Sequence, residues 1–146
     1  MELKKEFIDF ASREFDKETA NSLCKAIIET EPVTSVRVNH RKKPIENHIY
    51  DNGNRVGWTE NGFYLAERPL FTMDPLFHSG AYYVQEASSM FVEQAFKQHL
   101  LPNNSSPRVL DLCAAPGGKS THIISMLDGQ GFVLSNEIMR NRAKIL

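Results

Sequence analysis

The segment running from Val109 to Ser120, VLDLCAAPGGKS, concentrates the residues of this chain that could do chemistry. A β-prone apolar run enters it and a helical pattern leaves it. The residues between are small, and Gly117 and Gly118 allow a backbone to approach a ligand at the least steric cost. A parallel strand that feeds a helix through such a loop is half of a nucleotide-binding unit. The helix N-terminus adds N–H groups without intrahelical partners and a partial positive charge. The dinucleotide-binding fingerprint places an acidic group for the ribose hydroxyls roughly twenty residues further on. Glu137 stands at that distance, just after the apolar run Phe132-Val133-Leu134-Ser135-Asn136. Cys113, Ala114, Ala115, Pro116, Gly117, Gly118, Lys119 and Glu137 are therefore the candidate ligand-binding residues.

Two rival readings start from the same loop. Gly118-Lys119-Ser120 matches the end of a phosphate loop, GxxxxGK[ST], but Cys113 stands where its first glycine belongs. A glycine-rich connection with no ligand is the other, and the ordered run of strand, loop, helix, strand and Glu137 speaks against it.

Other elements must position this unit. Leu3, Phe7, Phe10 and Glu14 fall on helical spacing. Asp16 is placed to cap a second helix with an apolar stripe of Ala20, Leu23, Cys24, Ile27 and Ile28, stopped by Pro32. Ser35-Val36-Arg37-Val38-Asn39 alternates as a strand should, with Val36 and Val38 inward and Arg37 and Asn39 on an exposed face. Asn52-Gly53 and Asn61-Gly62 signal turns, flanked by Val56, Trp58, Phe63, Tyr64 and Leu65 on strands. A helix is expected from Val84 to Leu101, with Ala87, Met90, Phe91 and Ala95 on one face. PNNSSP then forms a linker before strand 108–112, helix 119–127, strand 132–136 and a further helix from Ile138.

Composition excludes little. Of 146 residues, 41% are hydrophobic and 24% charged, with a formal net charge of −1. That is ordinary for a globular protein, so only local clustering can speak to nucleic acid. Cys24 and Cys113 lie far apart without a CxxC context, so neither a disulfide framework nor a metal site is indicated. The N-terminus is charged and lacks a long apolar run, so no membrane span and a cytoplasmic location are expected.

DLCAAPGGKS resembles the cofactor motif of the RNA cytosine 5-methyltransferases of the Sun/nucleolar-protein family, and within it the Rsm-type bacterial enzymes that methylate ribosomal RNA. Tyr82-Tyr83-Val84-Gln85-Glu86-Ala87-Ser88-Ser89-Met90 resembles the segment that precedes that motif, and Ser35 to Asn39 resembles a strand of the family's N-terminal domain. The resemblance covers nearly the whole chain. It implies an α/β fold: a small α+β RNA-handling domain over 1–80, then the first β-α-β part of a Rossmann-like class I methyltransferase domain over 81–146. It implies S-adenosyl-L-methionine lined by Cys113 to Lys119, largely through backbone groups, with Glu137 on the ribose and Asp111 bracing the loop. Ser88 and Ser89 would stand beside that site or simply start a helix.

In that family a cysteine attacks carbon 6 of the target cytosine and a second one releases the product. Neither Cys24 nor Cys113 stands in their place, and Cys113 is expected to be small and buried. The catalytic cysteines are expected downstream of Leu146. The chain then reads as an N-terminal portion, inactive by itself, with an exposed sheet edge open to self-association. The alternative is a non-catalytic RNA-binding module with a vestigial cofactor loop.

Arg37, His40, Arg41, Lys42 and Lys43 form a basic cluster. Phosphates would use such charges, although a charge run is commonly no more than solvated surface. The resemblance favours RNA, with Arg37, Asn39, Arg41, Lys42 and Lys43 as the candidate contacts. Trp58, Phe63 and Tyr64 suit either a small core or a base-stacking platform. His78, His99 and His122 read as surface or packing residues, and Arg140, Arg142 and Lys144 as the solvated face of the last helix.

Overall fold

The computed structural model describes residues 2–42 and 53–146. The chain falls into two compact units, Met1–Val33 and Thr34–Leu146. The first is a pair of helices, α1 (Lys5–Glu14) and α2 (Lys17–Glu29). Asp16 caps α2, its carboxylate accepting the Thr19 N–H at 2.9 Å and the Thr19 hydroxyl at 2.6 Å. Ala11 and Ala20 are the buried residues of the pair. Leu23, Ile27 and Ile28 of the expected stripe remain 36%, 38% and 48% exposed.

The second unit opens with a four-stranded antiparallel sheet: β1 (Thr34–Val38), β2 (Asn54–Arg55), β3 (Gly62–Leu65) and β4 (Tyr82–Val84), in the order β2-β3-β1-β4. β1 is central, with Val36 opposite Phe63 on one side and Val84 on the other. Val36 anchors a core with Leu65, Phe71, Ala81 and Tyr82, backed by Val38 and Phe63. The alternation of β1 holds, because Ser35 and Arg37 point away from that core. Their face is nevertheless covered: Ser35 donates to the Gln85 carbonyl at 2.7 Å, and Arg37 is buried. The connection between β2 and β3 turns at Gly57-Trp58, and Gly62 of the expected Asn61-Gly62 turn is the first residue of β3, while Asn52 lies outside the described residues. A short helix, α3 (Pro75–His78), leads into β4.

The long helix expected from Val84 is replaced by a strand and a helical stretch of mixed pitch. Val84 closes β4, a 3-10 turn runs over Ala87–Phe91, α4 covers Val92–Ala95, and the stretch widens to a π-helical turn at Phe96–Leu100. Val84 belongs to the sheet because its partner Val36 occupies the register beside it. Ala87 and Met90 are buried, but Phe91 is 59% exposed, since the tighter 3-10 pitch turns it off the expected face.

The β-α-β pattern is the one the sequence shows. β5 (Arg108–Asp111) and β6 (Phe132–Ser135) pair in parallel, Leu110 opposite Leu134, with α5 (Gly118–Leu127) as the crossover. Asp111 and Ser135 reach Ser120 on α5, which identifies the face that α5 covers. By alternation Leu110, Phe132 and Leu134 share the other face and are 54–60% exposed. The last helix is a single turn, α6 (Arg140–Ala143), shorter than its sequence pattern suggests. The fold is thus a small α+β part followed by a β-α-β unit, as expected. Among the described residues, no helix is long and apolar enough to cross a membrane.

Gly131 sets the start of β6. Its φ is +97°, and a Cβ there would stand 2.3 Å from the Pro107 carbonyl oxygen, which already accepts the Phe132 N–H. Gly131→Ala is expected to destabilise the unit by about 2 kcal/mol, the scale of one strained backbone position. An unchanged urea midpoint would count against this reading.

Candidate functional site

The loop between β5 and α5 is shaped by the protein's own hydrogen bonds. Asp111 accepts the Cys113 N–H on Oδ1 at 3.1 Å and the Ser120 hydroxyl on Oδ2 at 2.7 Å. The Ala114 N–H donates to the Asn136 carbonyl at 2.9 Å, and the Gly117 N–H to the Ala114 carbonyl at 2.8 Å. The Ala115–Pro116 peptide is cis. Gly117 takes φ +108° as the residue that caps α5. The Cys113, Ala114 and Gly117 amides are thereby committed within the protein. The amides of the first helical turn, Gly118, Lys119 and Ser120, have no intrahelical acceptor one turn back.

The antiparallel sheet backs this loop. The Tyr83 hydroxyl donates to the Pro116 carbonyl at 3.0 Å. Gly118 lies so close to β4 that a Cβ would stand 3.3 Å from Tyr83 Cε1 and 3.7 Å from Gln85 Cδ. A groove of about 360 Å³ opens here, with Gln85, Glu86, Ser89, Cys113, Pro116 and Lys119 among its walls. Ser89 therefore borders the loop and also makes a local bond, its hydroxyl donating to the Glu86 carbonyl at 2.9 Å; Ser88 is exposed. Cys113, expected to be buried, is exposed.

Glu137 lies beside the loop, past the end of β6. Its Oε1 accepts the Met139 N–H at 2.9 Å. Its Oε2 is buried and has no hydrogen-bond partner. Arg142 Nη1 lies 3.7 Å from it, within ion-pair reach but beyond a hydrogen bond, and Arg142 Nη2 donates to the Ala115 carbonyl. Arg142 is exposed, as a residue on the solvated face of the last helix should be, yet its guanidinium is engaged. It bridges the acid and the loop, a role its surface-like spacing concealed.

The basic cluster is mostly engaged. Arg37, expected on an exposed face, is 4% exposed, because α5 covers that side of β1. Its Nε donates to Gln85 Oε1 at 2.9 Å and its Nη2 to Thr121 Oγ1 at 2.7 Å. Burial pushes its guanidinium down to about 10, against the pull of Tyr83 and Glu93, so it stays charged at neutral pH. Burial likewise raises the Tyr83 hydroxyl, against Arg37. Asn39 Nδ2 donates to the Gly80 carbonyl at 3.0 Å, and its Oδ1 accepts the Arg41 N–H at 3.1 Å. Arg41 pairs with Asp128 at 3.2 Å. Lys42 is exposed, and Lys43 lies outside the described residues. A cavity of about 380 Å³ runs between the end of β1 and α5, walled by Arg37, Asn39, Arg41, Lys42, Tyr83 and Thr121.

Trp58 is no free stacking platform. Its Nε1 donates to the Ala87 carbonyl at 2.7 Å, and its ring meets Phe91 edge-on at 6.3 Å. Phe63 backs the core under Arg55, whose guanidinium carbon lies 5.1 Å from the ring centroid.

A second polar group lies under α5, where His122 takes the packing role of the two its sequence allows. His122 is 1% exposed, and its Nε2 lies 2.9 Å from Glu93 Oε2. A carboxylate only accepts, so the ring proton sits on Nε2, leaving Nδ1 buried without a partner. Glu93 also accepts from the Thr59 hydroxyl at 2.5 Å, the Glu60 N–H at 3.0 Å and Lys97 at 2.7 Å. Burial works against its charge, but the donors Lys97, Thr59, His122 and Glu60 together hold it at about 2. Burial, then Arg37, lowers His122 despite Glu93. Among the described residues, no group of three potential metal ligands converges.

A β-α-β nucleotide unit with its glycine loop and following acid, set behind a small α+β part, has the architecture of a class I methyltransferase that carries an N-terminal extension. The model of the N-terminal domain of 16S rRNA methyltransferase RsmF matches residues 3–87, more than half of the chain, and that of 16S rRNA methyltransferase RsmB/F matches residues 97–146. The chain belongs to the RsmF family of 16S rRNA methyltransferases. Ribosomal RNA small subunit methyltransferase F of Cronobacter sakazakii is 40% identical over 97 residues, covering 62% of this chain and 19% of that protein. Its counterpart from Vibrio parahaemolyticus is 34% identical over 121 residues, covering 77% of this chain and 25% of that protein. The chain thus spans a fifth to a quarter of the length of these relatives. The solved structure of NSun6 from Pyrococcus horikoshii with SFG superposes with a TM-score of 0.72 over 97% of this chain and 60% of the other, at 16% identity. That likeness is one of fold.

The buried pair gives a pH signature. His122 binds its proton less readily in the folded chain than its ordinary 6.5, so its contribution is complete above that pH and is lost as pH falls below it. Glu93, held at about 2 against an ordinary 4.5, contributes above pH 4.5 and loses that contribution as pH falls toward 2. The urea midpoint is expected to be level above pH 7 and to fall between pH 6.5 and 5, with a smaller fall in His122→Gln. Equal slopes for both proteins would show that His122 does not set this dependence.

Proposed function

We propose that this chain is the RNA-handling and donor-loop part of an S-adenosyl-L-methionine-dependent RNA (cytosine-5) methyltransferase that acts on ribosomal RNA. The observation that carries the proposal is Glu137 Oε2, a buried carboxylate oxygen without a hydrogen-bond donor, beside a glycine loop. A pair of ribose hydroxyls is the chemistry that would satisfy it. Segment 113–119 lines the donor, and its small side chains leave room for the nucleoside. The Gly118, Lys119 and Ser120 amides face negative charge, helped by the dipole of α5. Arg142 lies within ion-pair reach of Glu137, at 3.7 Å. When bound, the donor supplies an activated methyl group; the residues of this chain bind and orient it. No residue of this chain is assigned to the attack on the base. We place the functional boundary between residues 80 and 81.

Ribosomal RNA fits the same reading. Arg41, Asn39 and Lys42 wall a cavity that a phosphate can enter, with Lys43 next in sequence. Arg41 already pairs with Asp128, so the exposed Lys42 is the cation that gives least up on binding. The exposed Leu110, Phe132 and Leu134 face is included as a self-association surface; a sedimentation coefficient independent of concentration would remove it.

Calorimetry tests the donor half. S-adenosylmethionine is expected to bind, and Glu137→Gln to weaken it at least tenfold with an unchanged melting temperature. Equal affinity in the two proteins would take Glu137 out of the site, and no binding to either would favour a non-catalytic RNA-binding module with a vestigial loop. For the RNA half, Lys42→Glu is expected to weaken ribosomal RNA binding and to lower the salt slope by about one. An unchanged slope would take Lys42 out of the interface.

A further inference from the structure

We propose that Arg37 is a positioning residue of the donor loop, which makes the N-terminal sheet a part of the donor site. The inference rests on the reading of segment 113–119 as that loop. Arg37 leaves β1 on the face opposite the core and reaches the first turn of α5. Its Nη2 donates to Thr121 Oγ1 at 2.7 Å, with the Gly118 carbonyl at 3.5 Å. The Thr121 hydroxyl has a single proton, and it donates that proton to the Gly117 carbonyl at 2.7 Å. The result is a directed chain, guanidinium to hydroxyl to carbonyl, that ends on the peptide joining Gly117 and Gly118. Gly117 sits at φ +108° and caps α5, so this peptide decides where the first-turn amides point.

The other end of the fork is fixed as well. Arg37 Nε donates to Gln85 Oε1 at 2.9 Å, and Gln85 Nε2 donates to Ser89 Oγ at 3.2 Å. The Ser35 hydroxyl holds the Gln85 carbonyl. One planar group thus ties three distant segments, β1, the residues after β4 and the start of α5. A lysine carries the charge without the fork.

A structural filler would not need this group. Among the described residues, Arg37 has no carboxylate within ion-pair distance, and it sits near the positive end of α5, where a cation is unfavourable. A buried cation with neutral partners costs stability. Retained there, it fixes the geometry of the loop, and it favours negative charge in the ligand that meets the same helix end.

Hydrogen exchange of the full chain, read peptide by peptide without any donor, tests this. Arg37→Lys and Thr121→Val are each expected to speed exchange over residues 113–121 about tenfold, while β1 and β3 stay within about twofold. The double variant is expected to match either single one, because both break the same chain. Additive effects, equal loosening of β1 and β3, or an unchanged loop with weakened RNA binding in Arg37→Lys would each overturn the proposal. Failure of the donor reading would show separately, in the Glu137→Gln calorimetry.

Discussion

The arrangement depends on one carboxylate. Asp111 ends β5, and its two oxygens reach opposite sides of the loop, one taking the Cys113 amide and the other the Ser120 hydroxyl. Ser135 adds the next strand to the same knot through Ser120, at 3.2 Å. A loop of small residues has few side-chain contacts to define it and much backbone entropy to lose. Fixed hydrogen bonds at both ends overcome that freedom. The loop is therefore formed before any ligand arrives, and binding does not have to supply its ordering.

The neighbouring sheet completes what Asp111 begins. Tyr83 holds the Pro116 carbonyl, and Gly118 lies close enough to Tyr83 that a Cβ there would press on its ring, 3.3 Å away. Below, Glu93 and His122 lock α5 to the helical stretch after β4 in a network of buried polar atoms. Its members are nearly all satisfied, as buried polar groups must be. The two side-chain atoms left over among the described residues differ in meaning. His122 Nδ1 belongs to a neutral ring, for which a missing donor costs less than for a charged group. Glu137 Oε2 belongs to a carboxylate, for which it costs more, and it stands past the end of β6 with Arg142 between it and the glycine loop.

Much of this was legible in the sequence because it is local. The strand, loop, helix and strand from Arg108 to Ser135 follow from patterns of a few residues, and Asp16 announces its helix in the same way. Glu137 is a candidate by its distance along the chain. Asp111 was read as a brace, and it is one. What escaped depends on pairs far apart. Arg37 looked like an exposed cation because its strand alternates correctly, and nothing in β1 tells that α5, eighty residues on, covers that face. His122 packs, one of the two roles its spacing allows, but its partner Glu93 comes from another element, and the exposed Arg142 reaches the Ala115 carbonyl, which nothing in its own helix announces. The helix expected from Val84 failed because pairing with Val36 claimed its first residue for the sheet.

The most direct test of a preformed donor loop is an amide-resolved nuclear magnetic resonance titration of the isotopically labelled chain with S-adenosylmethionine. The account predicts shifts at Gly118, Lys119, Ser120 and around Glu137, with smaller ones at Cys113, Ala114 and Gly117, whose N–H groups keep their protein partners. Shifts confined to other parts of the chain, or none at saturating donor, would contradict it.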